Sequence, residues 1–196
     1  MADIKQTIQD FYKVAQTRDF ARDFQFRVLD VANKGTPVFT EDDLVYATAA
    51  TLPGKTIATK DVPYNGFNFR IPGTVSYNAS DAFTIDFYCD ATTQARIAME
   101  NWITETYNDE TTSGDGVLHN NSTVTLVQLD TQFEPLRTYK LYGVFPTDCG
   151  DIGYSMTGDG EVATVTVTVA YQFFRRDNEL NTAVNAIGKL AGAVLG

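Results

Sequence analysis

Two cysteines and one histidine are all that this chain of 196 residues offers of the side chains that most often bind metals or act as nucleophiles. Cys89 and Cys149 stand far apart, with no Cys-x-x-Cys pair and no histidine beside either, so a structural zinc site has no ligand set. Two reduced, partly buried thiols are expected, in keeping with the burial habits of free cysteine. His119 lies in an Asn-rich turn with no Ser or Cys nucleophile motif around it. Gly153-Tyr-Ser-Met-Thr-Gly158 falls short of a nucleophile elbow, because Ser155 lacks a glycine two positions later. Neither a phosphate-binding glycine loop nor a dinucleotide fingerprint occurs. Asp148 and Asp151 are two carboxylates where calcium takes roughly six to eight oxygen ligands, and they read as turn formers. No catalytic residue, metal or cofactor is expected.

Long apolar runs and excess positive charge are missing too. No stretch approaches the roughly 20 apolar residues that span a bilayer, so membrane insertion is not expected. Met1-Ala-Asp-Ile-Lys opens a polar segment, and the expectation is a chain without a secretory signal, in which the Asn78 and Asn121 sequons are chance matches. Lys and Arg number 15 against 25 Asp and Glu, a net charge of −10. That balance opposes a DNA-gripping surface, since phosphate binding relies on cations displacing counterions. It is compatible with a surface past which DNA slides.

What is present is a strand-forming composition. Hydrophobic residues make up 43% of the chain, with Thr, Val, Tyr and Phe abundant, and these fit a pleated, half-buried surface. The length suits one domain with a real core. Helical spacing of Ile4, Ile8, Phe11, Tyr12 and Ala15 predicts an N-terminal helix, opened by Asp3 and Gln6 as a capping box. Strands are predicted over Phe24 to Val31, with Phe26, Val28 and Asp30 on one face, and over Asp43 to Leu52. Ala82 to Cys89 alternates Phe83, Ile85 and Phe87 with Thr84, Asp86 and Tyr88. A helix follows with Asp90 as its N-cap and Ala95, Ala98, Met99, Trp102 and Ile103 as its apolar stripe. After a polar loop over Tyr107 to Asn121, strands are predicted at Thr123 to Leu129, Thr138 to Val144 and Ala163 to Phe174. The last opposes Val165, Val167, Val169 and Tyr171 to a row of threonines, which faces either solvent or a water-filled channel.

Two segments stand apart. Residues 52–74 hold Pro53, Pro63 and Pro72 beside Gly54, Gly66 and Gly73, a composition that predicts an irregular arm. Yet Ile57, Val62, Tyr64, Phe67, Phe69 and Ile71 are too apolar for a solvated loop, so the arm covers either its own core or a neighbouring subunit. Beyond Arg175, residues 176–196 repeat apolar positions at helical spacing, Ile187 and Leu190 among them, and predict a C-terminal helical tail. The domain organisation read here is an N-terminal helical segment 1–19, a β domain 20–175 with the arm 52–74, and the tail 176–196. The fold class is mainly β (α+β): an antiparallel β-barrel or sandwich with one central flanking helix.

The closing half, Tyr139-Lys-Leu-Tyr-Gly-Val-Phe-Pro-Thr-Asp-Cys-Gly-Asp-Ile-Gly-Tyr154 and then Glu161-Val-Ala-Thr-Val-Thr-Val-Thr-Val-Ala-Tyr-Gln-Phe-Phe174, resembles the tail tube proteins of contractile-tailed bacteriophages. It reads as a strand, a Gly-aromatic-Pro-Thr turn, a short edge, a Gly-Asp-Gly hairpin turn and a final strand with an aromatic end. The run Phe83 to Trp102, a strand, an Asp cap and an Arg-bearing helix ending near Trp, keeps the same order. Related rings occur in pyocin-like particles and in the haemolysin-coregulated protein of type VI secretion. The resemblance implies a structural subunit of a virion tail, assembled in the host cytoplasm, that forms hexameric rings stacked into a hollow tube for DNA passage. Tail sheath, baseplate and tape-measure proteins are the implied partners. It also favours an arm that lies on a neighbouring subunit.

On that reading Ile57, Val62, Tyr64, Phe67, Phe69, Ile71, Ile187 and Leu190 are expected between stacked rings. Val165, Val167 and Val169 are expected to pair strands within a ring, as parts of an unprotected edge. Thr84, Asp86 and Glu161 are expected at the lumen. A tube-initiating baseplate ring is one alternative, since the tail extends past the aromatic end. A small-ligand-binding β-barrel lined by the aromatics is another.

Overall fold

Val165, Val167 and Val169 are each at most 2% exposed, and the threonines between them turn outward, so the alternation in the sequence marks a strand with one buried face. A computed structural model describes residues 8–18, 20–78, 80–157 and 160–177. In chain order the elements are α1 (Ile8–Thr17), β1 (Phe26–Asn33), β2 (Thr36–Pro37), α2 (Glu41–Val45), β3 (Ala47–Ala50), β4 (Gly54–Tyr64), β5 (Phe67–Asn78) and β6 (Phe83–Tyr88). Then follow α3 (Gln94–Thr106), β7 (Tyr107–Asn108), β8 (Ser113–Gly114), β9 (Thr123–Leu129), β10 (Pro135–Tyr142), β11 (Phe145–Cys149), β12 (Thr164–Ala170) and β13 (Phe173–Asp177).

Two antiparallel sheets form the body, one ordered β13-β10-β9-β1-β2 and one ordered β11-β12-β6-β3. The mainly-β, antiparallel expectation holds; the sheets stack as a sandwich and do not close into a barrel. Val28, Val31, Val124, Leu126 and Leu141 from the first sheet meet Phe83, Ile85, Phe87 and the three valines from the second. The apolar stripe of α3 adds Ala95, Met99 and Trp102 to this core. Phe39 lies against Phe87, ring centroids 5.1 Å apart.

Local physics accounts for several departures from the sequence-level reading. A bulge at Leu29 shifts β1, so Val28 and Val31 share the buried face and Asp30 does not. Extra twist and one extra residue are what a bulge supplies. The strand predicted over Asp43 to Leu52 begins instead as α2, because Thr40 and Asp43 form a reciprocal capping box, and only Ala47–Ala50 is extended. Asp90 does not occupy the cap position of α3, which belongs to Thr93, but its carboxylate accepts from the backbone N–H of Gln94 at 3.0 Å. Pro146-Thr147-Asp148 is not a turn; it is a bulged part of β11, and Gly143, at a φ of 64°, lies where the chain passes from the five-stranded sheet to the four-stranded one.

The closing strand is two strands. β12 ends at Ala170 in one sheet, and β13 starts at Phe173 in the other. Moreover β12 pairs with β11 on one side and β6 on the other. The expectation that Val165, Val167 and Val169 offer a free edge for intra-ring pairing is therefore corrected: both edges of β12 are occupied, and all three side chains are core. Among the described residues, the edge strands of that sheet with no strand paired outside them are β3 and β11. Residues 1–7 and 178–196 lie outside the described residues, and with them Asp3, Gln6, Ile187 and Leu190.

Because Phe87 is fully buried between the sheets, Phe87→Ala should cost about 3–5 kcal/mol of unfolding free energy, read from urea denaturation. A loss below about 1 kcal/mol would show that the sandwich interior is not the stabilising core.

Candidate assembly interface

The arm is a regular hairpin, not an irregular loop. β4 runs 11 residues and β5 runs 12, paired from Gly54↔Asn78 to Tyr64↔Phe67. The turn is Asn65-Gly66, both at positive φ (48° and 80°), the conformation that Asn-Gly adopts most readily in a two-residue hairpin. That dipeptide was the signal to read. The prolines do not break the ladder, since Pro63 and Pro72 sit in a two-stranded ribbon in which every residue has an open side.

The hairpin's root is fixed by aromatic packing. Tyr77 lies edge-on to Phe174 and Tyr171, with centroids 5.4 and 6.4 Å apart. The Tyr171 hydroxyl donates to the carbonyl of Asn78 at 3.0 Å, and the Tyr171 N–H donates to the carbonyl of Ser80 at 2.7 Å. Burial raises the Tyr171 phenol above its ordinary pKa, with Tyr77 adding to it, so the phenol stays a donor there. Further out no described residue outside the hairpin buries the ribbon's apolar side chains. Ile57, Val62, Tyr64, Phe67, Phe69 and Ile71 are 44–71% exposed. Of the two open readings, the arm does not cover its own core.

The outward face of the four-stranded sheet is the second surface. Register sets Thr164 beside Tyr88, Thr166 beside Asp86 and Thr168 beside Thr84. The Thr166 hydroxyl donates to the Asp86 carboxylate at 2.6 Å. The Thr48 hydroxyl donates to the Asp86 carbonyl at 3.2 Å. Thr84 and Asp86 thus share this face with the threonine row, while exposed Glu161 lies before the start of β12. No Lys or Arg occurs in β3, β6, β11 or β12, whereas β1, β10 and β13 carry Arg27, Arg137, Lys140, Arg175 and Arg176. The outer face of that cationic sheet holds a groove of about 600 Å³ lined by Leu29, Val127, Leu129 and Phe133 with Arg27 at its side. This segregation of charge by sheet was not visible before the strands were assigned to sheets.

The chemistry-bearing residues stay apart. Among the described residues no group of three or more His, Cys, Asp or Glu could hold a metal, and no helix is long and apolar enough to cross a membrane. Both cysteines are free and half-buried, and burial raises each thiol's pKa. His119 is not merely solvated: its Nε2 lies 3.1 Å from the Asp115 carboxylate, which also accepts from Lys34 Nζ at 2.6 Å. These bonds tie the loop after α3 to the β1–β2 turn. Lys34 first and His119 second hold the Asp115 carboxyl at about 2.

A family model described as "Phage tail tube protein" matches residues 15–177 of the chain. The chain belongs to the phage tail tube protein family; it is a structural protein of a phage-like tail and not an enzyme. Its fold is similar to that of the PVC sheath/tube terminator of an extracellular contractile injection system in its extended state. That likeness has a TM-score of 0.58 at 13% identity over 82% of this chain and 98% of that one. The tube-terminating cap of the anti-feeding prophage gives 0.57 at 16% identity, over 82% and 92%. The extended PVC sheath–tube complex gives 0.50 at 13% identity, over 84% and 96%. At these identities the likeness is one of fold. No curated protein sequence matches the chain. Family membership supports a structural subunit over a ligand-binding barrel, and the aromatics are spread over the core, the hairpin root, the ribbon and other exposed positions such as Phe24 and Phe133.

The Asp115 contacts predict a pH dependence. A carboxyl held at about 2 contributes stability that is fully present above the ordinary aspartate range and is lost as pH falls through about 2. Asp115→Asn should therefore lower the urea midpoint at pH 6, and the gap from the parent protein should close by pH 2. A gap that stays constant across this range would remove the carboxylate from the account.

Proposed function

We propose that this chain closes into hexameric rings that stack into a hollow tail tube, through which DNA passes without specific binding. The observation that carries this reading is the pairing of a long, uncovered apolar hairpin with a sheet face free of cations, in a member of the tail tube family. Ring closure is proposed at the free edges β3 and β11, in place of β12. They lie at opposite ends of one sheet, so joining β3 of one copy to β11 of the next continues that sheet around the ring and leaves neither of its edges exposed. The hairpin residues Ile57, Val62, Tyr64, Phe67, Phe69 and Ile71 supply the apolar contacts between rings, and the terminal segments with Ile187 and Leu190 add to them. Burying one such side chain is worth roughly 1.5–3 kcal/mol, multiplied around a symmetric ring.

The bore is lined by the threonine face, with Thr84 and Asp86 on it and Glu161 at its rim. At −10 per chain a hexameric ring carries about −60, so phosphates meet repulsion and neutral hydroxyls rather than adhesion. The cationic five-stranded sheet then faces outward, where a tail sheath lies. Baseplate and tape-measure proteins act at the tube's ends and interior, and assembly takes place in the host cytoplasm.

Negative-stain microscopy of the purified protein should show rings or tubes; a compact monomer at all concentrations would overturn the reading. The bore assignment has its own test. Thr164 and Thr166 are exposed on the threonine face, so Thr164→Lys with Thr166→Lys should give rings that bind linear duplex DNA at low salt and release it as KCl rises. The parent rings should not bind. Equal binding by both, measured by filter retention, would place this face away from the bore.

A further inference from the structure

The hairpin's apolar residues are not one patch. Pairing passes from Ile57↔Val75 to Thr59↔Pro72, so Gly73 and Thr74 together oppose Ala58 in a bulge. Glycine is required there, because a Cβ on Gly73 would lie 2.9 Å from the carbonyl oxygen of Ala58. Following the alternation through this bulge, Tyr77, Ile57–Val75 and Pro72 fall on one face of the ribbon. Val62–Phe69, Tyr64–Phe67 and Ile71 fall on the other. At the tip the first face turns polar, carrying the Arg70–Asp61 ion pair at 3.1 Å and Asn68. Near the root the second face is polar in its turn, with the Thr56 and Ser76 hydroxyls 2.8 Å apart. Each end of the ribbon is thus apolar on one face alone, and the two ends use opposite faces.

We infer that the hairpin joins two different copies of this chain at once. Its root face meets the copy beside it in the ring, and its tip face meets a copy in the next ring. This rests on the ring-stack reading above and divides the contact set proposed there, moving Ile57 to a lateral contact.

Three observations fix the occupants. Tyr77, on the root face, already packs on the chain's own Phe174 and Tyr171, so whatever covers Ile57 and Val75 on that same face must lie alongside the body. The ribbon spans about 36 Å of extended chain, and at its tip Tyr64 and Phe67 are 67% and 71% exposed, so no described residue covers them. Charge selects a second copy over an unrelated surface: the ribbon carries Lys55, Lys60 and Arg70 against the single carboxylate Asp61, on a chain whose net charge is −10. A cationic ribbon fits the acidic body of another copy of this chain.

The test compares two variants of the full chain, Ile57→Thr with Val75→Thr at the root and Phe67→Ser with Phe69→Ser at the tip. All four side chains are more than half exposed, so both variants should fold, which near-UV circular dichroism and the urea midpoint check. Light scattering coupled to size exclusion, followed by microscopy, should find the root variant stalled as single chains and the tip variant stalled as rings that do not stack. If both stall at the same stage, or in the reverse order, the two-partner assignment is wrong while the hairpin remains an assembly element. If both assemble like the parent chain, the hairpin is no interface, and the reading beneath this inference fails with it.

Discussion

The aromatic contact around Tyr171 is the constraint through which the parts of this molecule are joined. At Tyr171–Gln172 the chain leaves the four-stranded sheet and enters the five-stranded one, and the buried Tyr171 ring fills the corner between them. Phe83, at the start of β6, meets it edge-on with centroids 6.1 Å apart. The Tyr171 hydroxyl and N–H hold the two ends of the short link that follows the hairpin, at the carbonyls of Asn78 and Ser80. Phe174, two positions after Gln172, receives Tyr77 from the hairpin and lies near Tyr139 of β10. One corner therefore sets both how the sheets stack and the angle at which the ribbon leaves the body. Aromatic pairs of this kind are worth about 0.5–1.5 kcal/mol each beyond area burial, and they are directional, which a purely aliphatic corner would not be.

The body was legible in the sequence wherever one residue type could face only one way. The valines of β12, the Phe-Ile-Phe row of β6 and the stripe of α3 all lie where alternation or helical spacing puts them. Order along the chain was legible too, and it sufficed for the family. What failed was anything that depended on which strand lies beside which. Nothing local to Val165–Val169 says that β11 and β6 take both of its edges, because pairing is a long-range fact. Nothing in Asp43 announces that its carboxylate closes a capping box with Thr40 rather than extending a strand.

The arm shows a different failure. Three prolines and three glycines outweighed the Asn-Gly dipeptide in the reading, although that dipeptide alone specifies a tight hairpin. Proline breaks a sheet by removing a donor where a partner waits, and in an isolated ribbon half the donors have no partner. The same composition that argues against a central strand is harmless in a projecting one, so burial had to be known before the prolines could be weighed. Sheet-level charge is similar: Arg27, Lys140 and Arg175 are scattered in sequence and collect on one sheet only through the fold.

The uncovered ribbon also has a consequence for how subunits meet in solution. Each free chain presents several large apolar side chains to water while bearing a strong net negative charge. On the proposed assembly such a particle repels its copies at a distance and adheres to them at contact, a colloid held apart by its own field. With a screening length near 8 Å at physiological salt, that field ends well short of the ribbon's reach. The tip therefore projects beyond the repulsion that guards the body, and ionic strength acts as a throttle on the rate at which copies find one another. On the ring-stack reading, added salt speeds the encounter between acidic bodies and weakens only the few charge contacts proposed for Lys55 and Lys60, leaving the apolar contacts in place.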